Sequence, residues 1–230
     1  MQFHQHGYVS EDPRIAAPQG YGIDRPEDLP DEMDVLIVGT GPAGVIAAAQ
    51  LTQYPNVNTR IIERRPGRLQ IGQADGIQAR SVETFQSFGF AERITQEAFH
   101  LTEMCFWNPD PENPENIVRT GRPADDPYGV SEFPHLIVNQ ARVLDYFLEA
   151  AADGPAKIKP NYGIEFGGLQ VDQDAEYPVS VTVRYVAGER EGEERTIRAK
   201  HVFGCDGAGS GVRRPSVASS KARAPTTHGA

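Results

Sequence analysis

Three glycines in residues 33–44, which read M-D-V-L-I-V-G-T-G-P-A-G, have the G-x-G-x-x-G spacing of a dinucleotide-binding turn. Each of the three has a physical role in such a turn. Gly39 permits a tight turn out of a strand, Gly41 has no side chain to hold a pyrophosphate off the backbone, and Gly44 lets a helix pack close to the strand. A glycine-rich turn that binds nothing would carry the same pattern, so the residues around it must decide.

Those neighbouring residues favour a bound nucleotide. Pro42 and Ala43 stand at the predicted start of a helix, where a proline is tolerated because its missing N–H would have no partner anyway. The free N–H groups and the positive end of the helix dipole attract a phosphate. Glu63 follows about 20 residues after the turn, where a carboxylate accepts hydrogen bonds from a ribose diol and repels a 2′-phosphate. Together these features predict nucleotide binding.

Further polar residues allow two interpretations each. Arg64 and Arg65 belong to a basic loop in an acidic protein. The loop is either a solvated turn or a segment that places arginines near the phosphates of a bound nucleotide. Asp75 precedes a segment with helical spacing that begins at Ile77. Asp75 could cap that helix, with Gln78 completing a capping-box-like pair, and would then need no chemical role.

The elements that must position these residues follow from hydrophobic periodicity. An unbroken apolar run predicts a strand buried on both faces of a parallel sheet, and alternation with a period of two predicts an antiparallel meander. The predicted elements are buried strands at 35–39, 59–63 and 201–205, short strands at 101–107, 116–119 and 136–138, helices at 77–89 and 140–152, and meander strands at 164–171, 179–185 and 195–199. We expect Asn139 to cap the second helix.

Composition narrows the function classes. The 230-residue chain has a formal net charge of −10, which argues against a nucleic-acid partner or an anionic membrane surface. It shows neither an apolar run of membrane-spanning length nor a secretory signal, so we expect a cytoplasmic protein. Cys105 and Cys205 form no paired motif and are interpreted as buried free thiols in a reducing compartment, with no metal site.

Over roughly residues 30–214 the chain resembles the class A flavoprotein aromatic hydroxylases, and within them the phenol 2-monooxygenase and 3-hydroxybenzoate 4-hydroxylase group. The resemblance is carried by G-T-G-P-A-G with Glu63, by R-L-Q-I-G-Q-A-D-G-I-Q-A-R-S-V-E-T-F, by V-N-Q-A-R-V-L-D-Y-F-L and by G-C-D-G-A-G-S-G-V-R-R. The last segment contains the Asp-Gly motif of NAD(P)H-dependent flavoprotein hydroxylases, which counts against a plain NAD-dependent dehydrogenase. The implied fold is α/β, a Rossmann-like FAD-binding domain with a parallel sheet and an inserted antiparallel meander.

The resemblance also implies the cofactors and site residues. FAD would occupy the glycine turn and NADPH would act transiently as its reductant, after which an oxygen atom from O₂ is added to a phenol ring. Further FAD contacts would come from Arg65, Gln73 and Gln140, and the NADPH approach would lie near Asp206 and Gly207.

In the same family, Asp75 matches the active-site aspartate and His135 matches a substrate-pocket position. For His135, a structural role beside an apolar strand is equally compatible with the sequence. The implied partner is a phenolic small molecule. A homodimer stays open, because the sequence does not set the oligomeric state.

We expect three regions: an extended N-terminal arm (1–32), an FAD-binding domain (33–214) and a disordered tail (215–230) rich in Ser, Ala, Pro and Thr. The family continues beyond Arg214 with a Gly-Asp motif and the rest of the substrate-binding sheet. The domain is therefore expected to be truncated before the substrate domain is complete, and to bind FAD weakly or not at all, without turnover. The alternative function is a non-catalytic nucleotide-binding fragment.

Overall fold

The computed structural model describes residues 25–216, which fall into two compact units. One unit is Leu69–Ala150, and the other combines residues 25–68 with 151–216. Residues 33–214, predicted as one FAD-binding domain, are distributed over both units. Most of the predicted arm (1–24) and of the predicted tail (217–230) lies outside the described residues.

The described residues form eleven strands and five helices. In chain order they are β1 (Glu32–Val38), α1 (Pro42–Leu51), β2 (Thr59–Glu63), β3 (Gly76–Ile77), α2 (Ala79–Ser87), α3 (Ala91–Glu97), β4 (Phe99–Leu101), β5 (Phe106–Pro109), β6 (Ile117–Gly121), β7 (His135–Ile137), α4 (Gln140–Asp153), β8 (Pro160–Tyr162), β9 (Ile164–Val171), β10 (Val179–Tyr185), β11 (Glu194–Gly204) and α5 (Arg213–Ser216).

A six-stranded sheet in the order β8-β2-β1-β11-β10-β9 forms the centre of the second unit. The pairs β8–β2, β2–β1 and β1–β11 are parallel, whereas β11–β10 and β10–β9 are antiparallel. The predicted α/β class, with a parallel sheet and an antiparallel meander, is therefore confirmed.

Strand β11 corrects the prediction of two separate strands at 195–199 and 201–205. It runs without a break and pairs with β1 on one side, from Arg198 to Gly204, and with β10 on the other, from Glu194 to Ala199. The sequence suggested a break because Lys200 interrupts the apolar pattern. In the fold, Lys200 Nζ lies 2.8 Å from Asp34 Oδ1 on the adjacent strand, so the charged residue is accommodated within the ladder.

The main core of this unit lies on the sheet. Leu36, Val38 and Ile62 pack with meander residues such as Val181, while α1 packs against β1 and β2 and buries its small residues. Leu29, in the predicted arm, also belongs to this core at 2% exposure. Arg195 Nη1 donates to its carbonyl at 2.6 Å.

The unit Leu69–Ala150 contains a three-stranded sheet in the order β3-β7-β4, a separate β5–β6 ribbon, and helices packed on an aromatic cluster. In that cluster the rings of Phe85, Phe90 and Phe147 have centroids 4.9–5.5 Å apart. The predicted helix over 140–152 is confirmed as α4. Its capping residue is confirmed as well, because Asn139 Oδ1 accepts from Ala141 N at 2.8 Å.

Two predicted elements in this unit are wrong at their boundaries. Helix α2 begins at Ala79 rather than Ile77, because Ile77 pairs with Leu136 in the small sheet. The predicted strand over 101–107 is split between β4 and β5, which belong to different sheets, because Met104 N turns away to bond Pro123 O at 3.1 Å.

The cysteines are both free, but only Cys205 is half-buried. Cys105 is exposed, contrary to the prediction, because it precedes β5, whose four residues are all exposed. Within residues 25–216, no helix is long and apolar enough to cross a membrane. The same residues contain no cluster of three or more His, Cys, Asp or Glu side chains that could hold a metal ion.

Candidate functional site

Two glycines of the turn after β1 have no room for a side chain. Gly39 has φ +103°, and a Cβ there would lie 2.6 Å from the Cys205 carbonyl oxygen. A Cβ on Gly44 would lie 1.9 Å from the Gly39 carbonyl oxygen. The predicted roles of Gly39 in the tight turn and of Gly44 in close helix packing are both visible in this geometry.

Gly41, at the N-cap of α1, differs from the other two. Its φ is −71°, and the nearest atom to an added Cβ would be the Cys205 carbonyl oxygen at 3.8 Å. Pro42 and Ala43 follow it on the exposed surface, and the Ala43 N–H has no acceptor among residues 25–216. The turn is therefore an open cradle at the N-terminal end of the ten-residue helix α1. The backbone N–H groups and the positive end of the helix dipole at this position suit a pyrophosphate.

Glu63 ends β2 next to this turn and is 6% exposed. Its Oε2 accepts from Thr40 N (2.9 Å), Thr40 Oγ1 (2.8 Å) and Arg65 Nη2 (3.0 Å). Its Oε1 accepts from Arg65 N (3.0 Å) and Arg65 Nε (3.1 Å). Burial raises the pKa of Glu63, but the hydrogen bonds from Arg65 and Thr40 outweigh it and hold the pKa below its usual value. The buried side chain is therefore a carboxylate, the acceptor that a ribose diol needs.

Thr40 was not predicted as a site residue. It is 2% exposed, and it binds Glu63 through both its backbone N–H and its hydroxyl. The signal in the sequence is a hydroxyl-bearing residue between the first two glycines of the turn. Of the predicted basic pair, Arg65 is placed on Glu63 and Arg64 is exposed.

The Asp206–Gly207 segment follows β11 and lies beside the turn, because Cys205 N donates to Val38 O at 2.9 Å. Asp206 accepts from Ser210 Oγ at 2.5 Å, from Gly211 N at 2.6 Å and from Val212 N at 3.2 Å. Burial raises the pKa of Asp206, but these hydrogen bonds outweigh it and keep the pKa below its usual value. The Asp206 carboxylate therefore holds its own loop together.

Gly207 remains exposed in this loop, with φ +86°. It lines one side of an open groove of about 600 Å³ in the same unit, together with Ser210 and Arg213. The other lining residues are mainly apolar: Leu169, Val171, Val179, Val202, Gly204 and Val212.

In the other unit, Asp75 is exposed and its backbone oxygen accepts from Val138 N at 2.8 Å. The interpretation of Asp75 as a helix cap is wrong. The N-cap of α2 is Gln78, whose side chain makes no capping bond, because residues 76–77 form a strand between Asp75 and the helix.

His135 begins β7, in the same small sheet as β3. Its Nδ1 lies 2.9 Å from Asp125 Oδ1, and both side chains are largely buried. A Cβ on Gly76 would lie 3.5 Å from His135 Nε2, so the imidazole lies beside the residue that follows Asp75. No motif or periodicity indicates Asp125, which lies in an irregular segment ten residues before His135.

The predicted cofactor residues Gln73 and Gln140 are brought together in this unit. Gln73 N donates to Gln140 Oε1 at 2.9 Å, and Gly72 N donates to Asn139 Oδ1 at 3.4 Å. A Cβ on Gly72 would lie 2.3 Å from the Gln140 Cβ. The start of α4 therefore fixes the backbone of the 72–73 loop.

Comparison with known proteins supports the same family. Residues 32–227 match the model of a FAD binding domain. The chain is 43% identical over 93% of its length to 3-hydroxybenzoate 4-monooxygenase of Comamonas testosteroni, of which it covers 34%. It is 30% identical over 80% of its length to a phenol 2-monooxygenase of Aspergillus fumigatus, of which it covers 29%.

Among solved structures, the flavin-dependent monooxygenase PieE in complex with FAD and substrate superposes with a TM-score of 0.63 at 25% identity, over 78% of this chain and 31% of that one. The chain thus spans about a third of the length of the relatives it matches. Its open glycine turn, with a buried carboxylate at the end of the second strand, fits the ADP end of FAD. The chain belongs to the FAD-binding domain family, as that domain occurs in flavin-dependent aromatic hydroxylases.

Proposed function

We propose that this chain is the FAD-binding portion of an NADPH-dependent monooxygenase that hydroxylates a phenolic ring. The observation that carries the proposal is the open turn at Gly41 beside the ionised carboxylate of Glu63. The turn offers backbone donors to a pyrophosphate, and Glu63 offers two acceptor oxygens to the adenosine ribose.

Two further FAD contacts, Gln73 and Gln140, follow the family resemblance, and we propose that Arg64 of the basic loop lies near the phosphates of FAD. We also propose, from the same resemblance, that Asp206 and Gly207 border the NADPH approach. When bound, the flavin supplies the redox and oxygen-transfer chemistry. The residues of this chain bind it and orient it.

For the substrate we propose a phenol whose hydroxyl donates to the Asp75 carboxylate, an interaction that favours the phenolate. Asp75 is exposed and free of a capping role, and His135 is oriented by Asp125 beside the neighbouring residue. Both relatives named above act on phenolic compounds according to their names.

The test uses the full chain and four measurements. FAD and NAD titrations followed by fluorescence are expected to show binding of FAD and weaker binding of NAD. NADPH oxidation with phenol or 3-hydroxybenzoate, together with product chromatography, reports turnover. Preferential binding of NAD would instead support a dehydrogenase. Binding of FAD without NADPH oxidation would support the non-catalytic fragment.

Asp75→Asn separates the two parts of the proposal. This variant is expected to keep the affinity for FAD and to weaken binding of the phenol, because the amide is a poorer acceptor for the phenol proton. Glu63→Ala is the matched opposite, expected to weaken FAD binding and to leave phenol binding unchanged. An Asp75→Asn variant that binds the phenol as tightly as the wild-type chain would contradict the assignment of Asp75.

We also propose a cytoplasmic location, supported by two free thiols of which one is exposed. The subunit number is to be measured by light scattering, which distinguishes a homodimer from a monomer.

A further inference from the structure

The Arg65 side chain occupies both oxygens of the Glu63 carboxylate. Its Nε donates to Oε1 at 3.1 Å and its Nη2 donates to Oε2 at 3.0 Å. A ribose also carries two adjacent donors, its 2′ and 3′ hydroxyls, and these would bind the same two oxygens. The arginine fork and the ribose diol are therefore alternative partners of one carboxylate.

The carboxylate has no spare acceptor capacity. A carboxylate offers about four lone-pair positions, and Glu63 already receives the bonds from Thr40 N, Thr40 Oγ1, Arg65 N, Arg65 Nε and Arg65 Nη2. A diol can bind only if some of these donors leave.

Among these donors, the Arg65 side chain is the group that can most readily leave for solvent. Two of the donors are backbone N–H groups, and the Arg65 backbone is fixed because Gly163 N donates to Arg65 O at 2.8 Å. The Thr40 hydroxyl belongs to a residue that is 2% exposed. The Arg65 side chain is 34% exposed and can rotate into solvent.

We propose that Arg65 is a positioning residue that holds the Glu63 carboxylate and is displaced from it by the 2′,3′-diol of an adenine nucleotide. The inference rests on the proposed function, because it concerns the same ribose site. It assigns Arg65 the role of a competitor for Glu63 instead of the FAD contact expected from the family resemblance. Arg65 thereby lowers the affinity of the site for any nucleotide that carries the complete diol.

Arg65→Met tests this assignment because it removes the two side-chain donors and keeps the length of the side chain. Glu63 still receives three bonds, from Thr40 N, Thr40 Oγ1 and Arg65 N, so the variant should fold. ADP should bind about fivefold more tightly, which corresponds to about 1 kcal/mol for a partly exposed ion pair that no longer has to break. 2′,3′-Dideoxy-ADP, which cannot replace the arginine, should bind equally to both proteins.

The experiment is calorimetric titration of the wild-type chain and the variant with ADP and with 2′,3′-dideoxy-ADP. Arg64→Met is the matched control, since it removes a neighbouring charge that is exposed and should change the affinities for both ligands by the same factor. In the wild-type chain, the arginine Nε–H resonance of Arg65 should shift on addition of ADP and not on addition of the dideoxy analogue.

Weaker ADP binding by Arg65→Met, or an equal change for both ligands, would overturn the inference and make Arg65 a nucleotide contact. If the wild-type chain binds FAD and ADP but Arg65→Met does not change the affinity for ADP relative to that for 2′,3′-dideoxy-ADP, the inference alone is overturned. Absence of FAD and ADP binding by both proteins would overturn it together with the proposed function.

Discussion

Gly44→Ala is the sharpest test of the glycine turn. The new Cβ would lie 1.9 Å from the Gly39 carbonyl oxygen, whereas real Cβ atoms essentially never approach closer than 3.0 Å. The backbone must therefore move by at least 1.1 Å (3.0 − 1.9). The turn resists such a shift, because Gly39 N donates to Ile62 O at 2.8 Å and Cys205 N donates to Val38 O at 2.9 Å.

The expected cost combines two opposing effects. Overpacking of this kind costs about 1–3 kcal/mol, and the better helix propensity of alanine returns up to about 1 kcal/mol. We expect a net loss of about 1–2 kcal/mol in the free energy of unfolding. At about 2–4 °C per kcal/mol, the Tm should fall by about 2–8 °C.

Gly41→Ala is the matched control. Its Cβ would have 3.8 Å to the nearest atom and its φ of −71° suits any residue, so the Tm should stay within about 2 °C of wild type. The methyl group would nevertheless stand in the open cradle and reduce FAD binding. Circular dichroism melting curves and FAD titrations of both variants separate stability from binding. A Gly44→Ala protein that melts with the wild type, or a Gly41→Ala protein that binds FAD normally, would refute this account of the turn.

Three further outcomes are expected. Arg142→Met should raise the pKa of Glu97 from about 2 towards its usual value, because Arg142 provides the largest stabilising hydrogen bond; carboxyl NMR titration measures it. Because the folded pKa of Glu97 is depressed, the stabilisation from this pair is present above the unfolded pKa and is lost as the pH falls towards 2. The difference in Tm between the wild type and the variant should therefore shrink as the pH falls, and a constant difference would contradict the pairing. Asp206→Ala should lower the free energy of unfolding by about 1–3 kcal/mol in urea titrations, because it leaves the donors of its loop without their acceptor. An unchanged urea midpoint would show that Asp206 does not stabilise the loop. Gly72→Ala should speed proteolysis within residues 69–78, because its Cβ would lie 2.3 Å from the Gln140 Cβ. Gly76→Ala is the control and should not, since its Cβ would lie 3.5 Å from the nearest atom, and equal cleavage of the two variants would argue against a clash at Gly72.

The parts of the fold that were predictable depend on local chemistry. The turn at Gly39 and the strand ending at Glu63 follow from residue type and spacing within one βαβ unit, and both are confirmed as elements. The start of α2 was missed because Ile77 is recruited by Leu136, a partner nearly sixty residues away that periodicity does not reveal.

The same limit applies to the candidate site. Thr40 matters because its hydroxyl reaches Glu63, and Asp125 because it reaches His135. The glycine spacing marks the position of Thr40 but not its contact with Glu63, and Asp125 belongs to no recognisable pattern. Leu29 was assigned to the arm because it stands alone among polar residues, yet the meander buries it. Contacts between distant residues of this kind depend on tertiary packing, which a single sequence does not encode in its spacing.

The central position of β11 has a consequence for how the chain folds. Glu32 and Arg198 face each other in the β1–β11 ladder at a sequence separation of 166 residues. During synthesis, β1 must therefore remain without its neighbour on one side until residues 198–204 of β11 have been translated. Such long-range parallel pairing is slow and exposes unpaired strand edges. The nascent chain should thus depend on chaperones during this interval, and slower translation before residue 194 should lengthen that dependence.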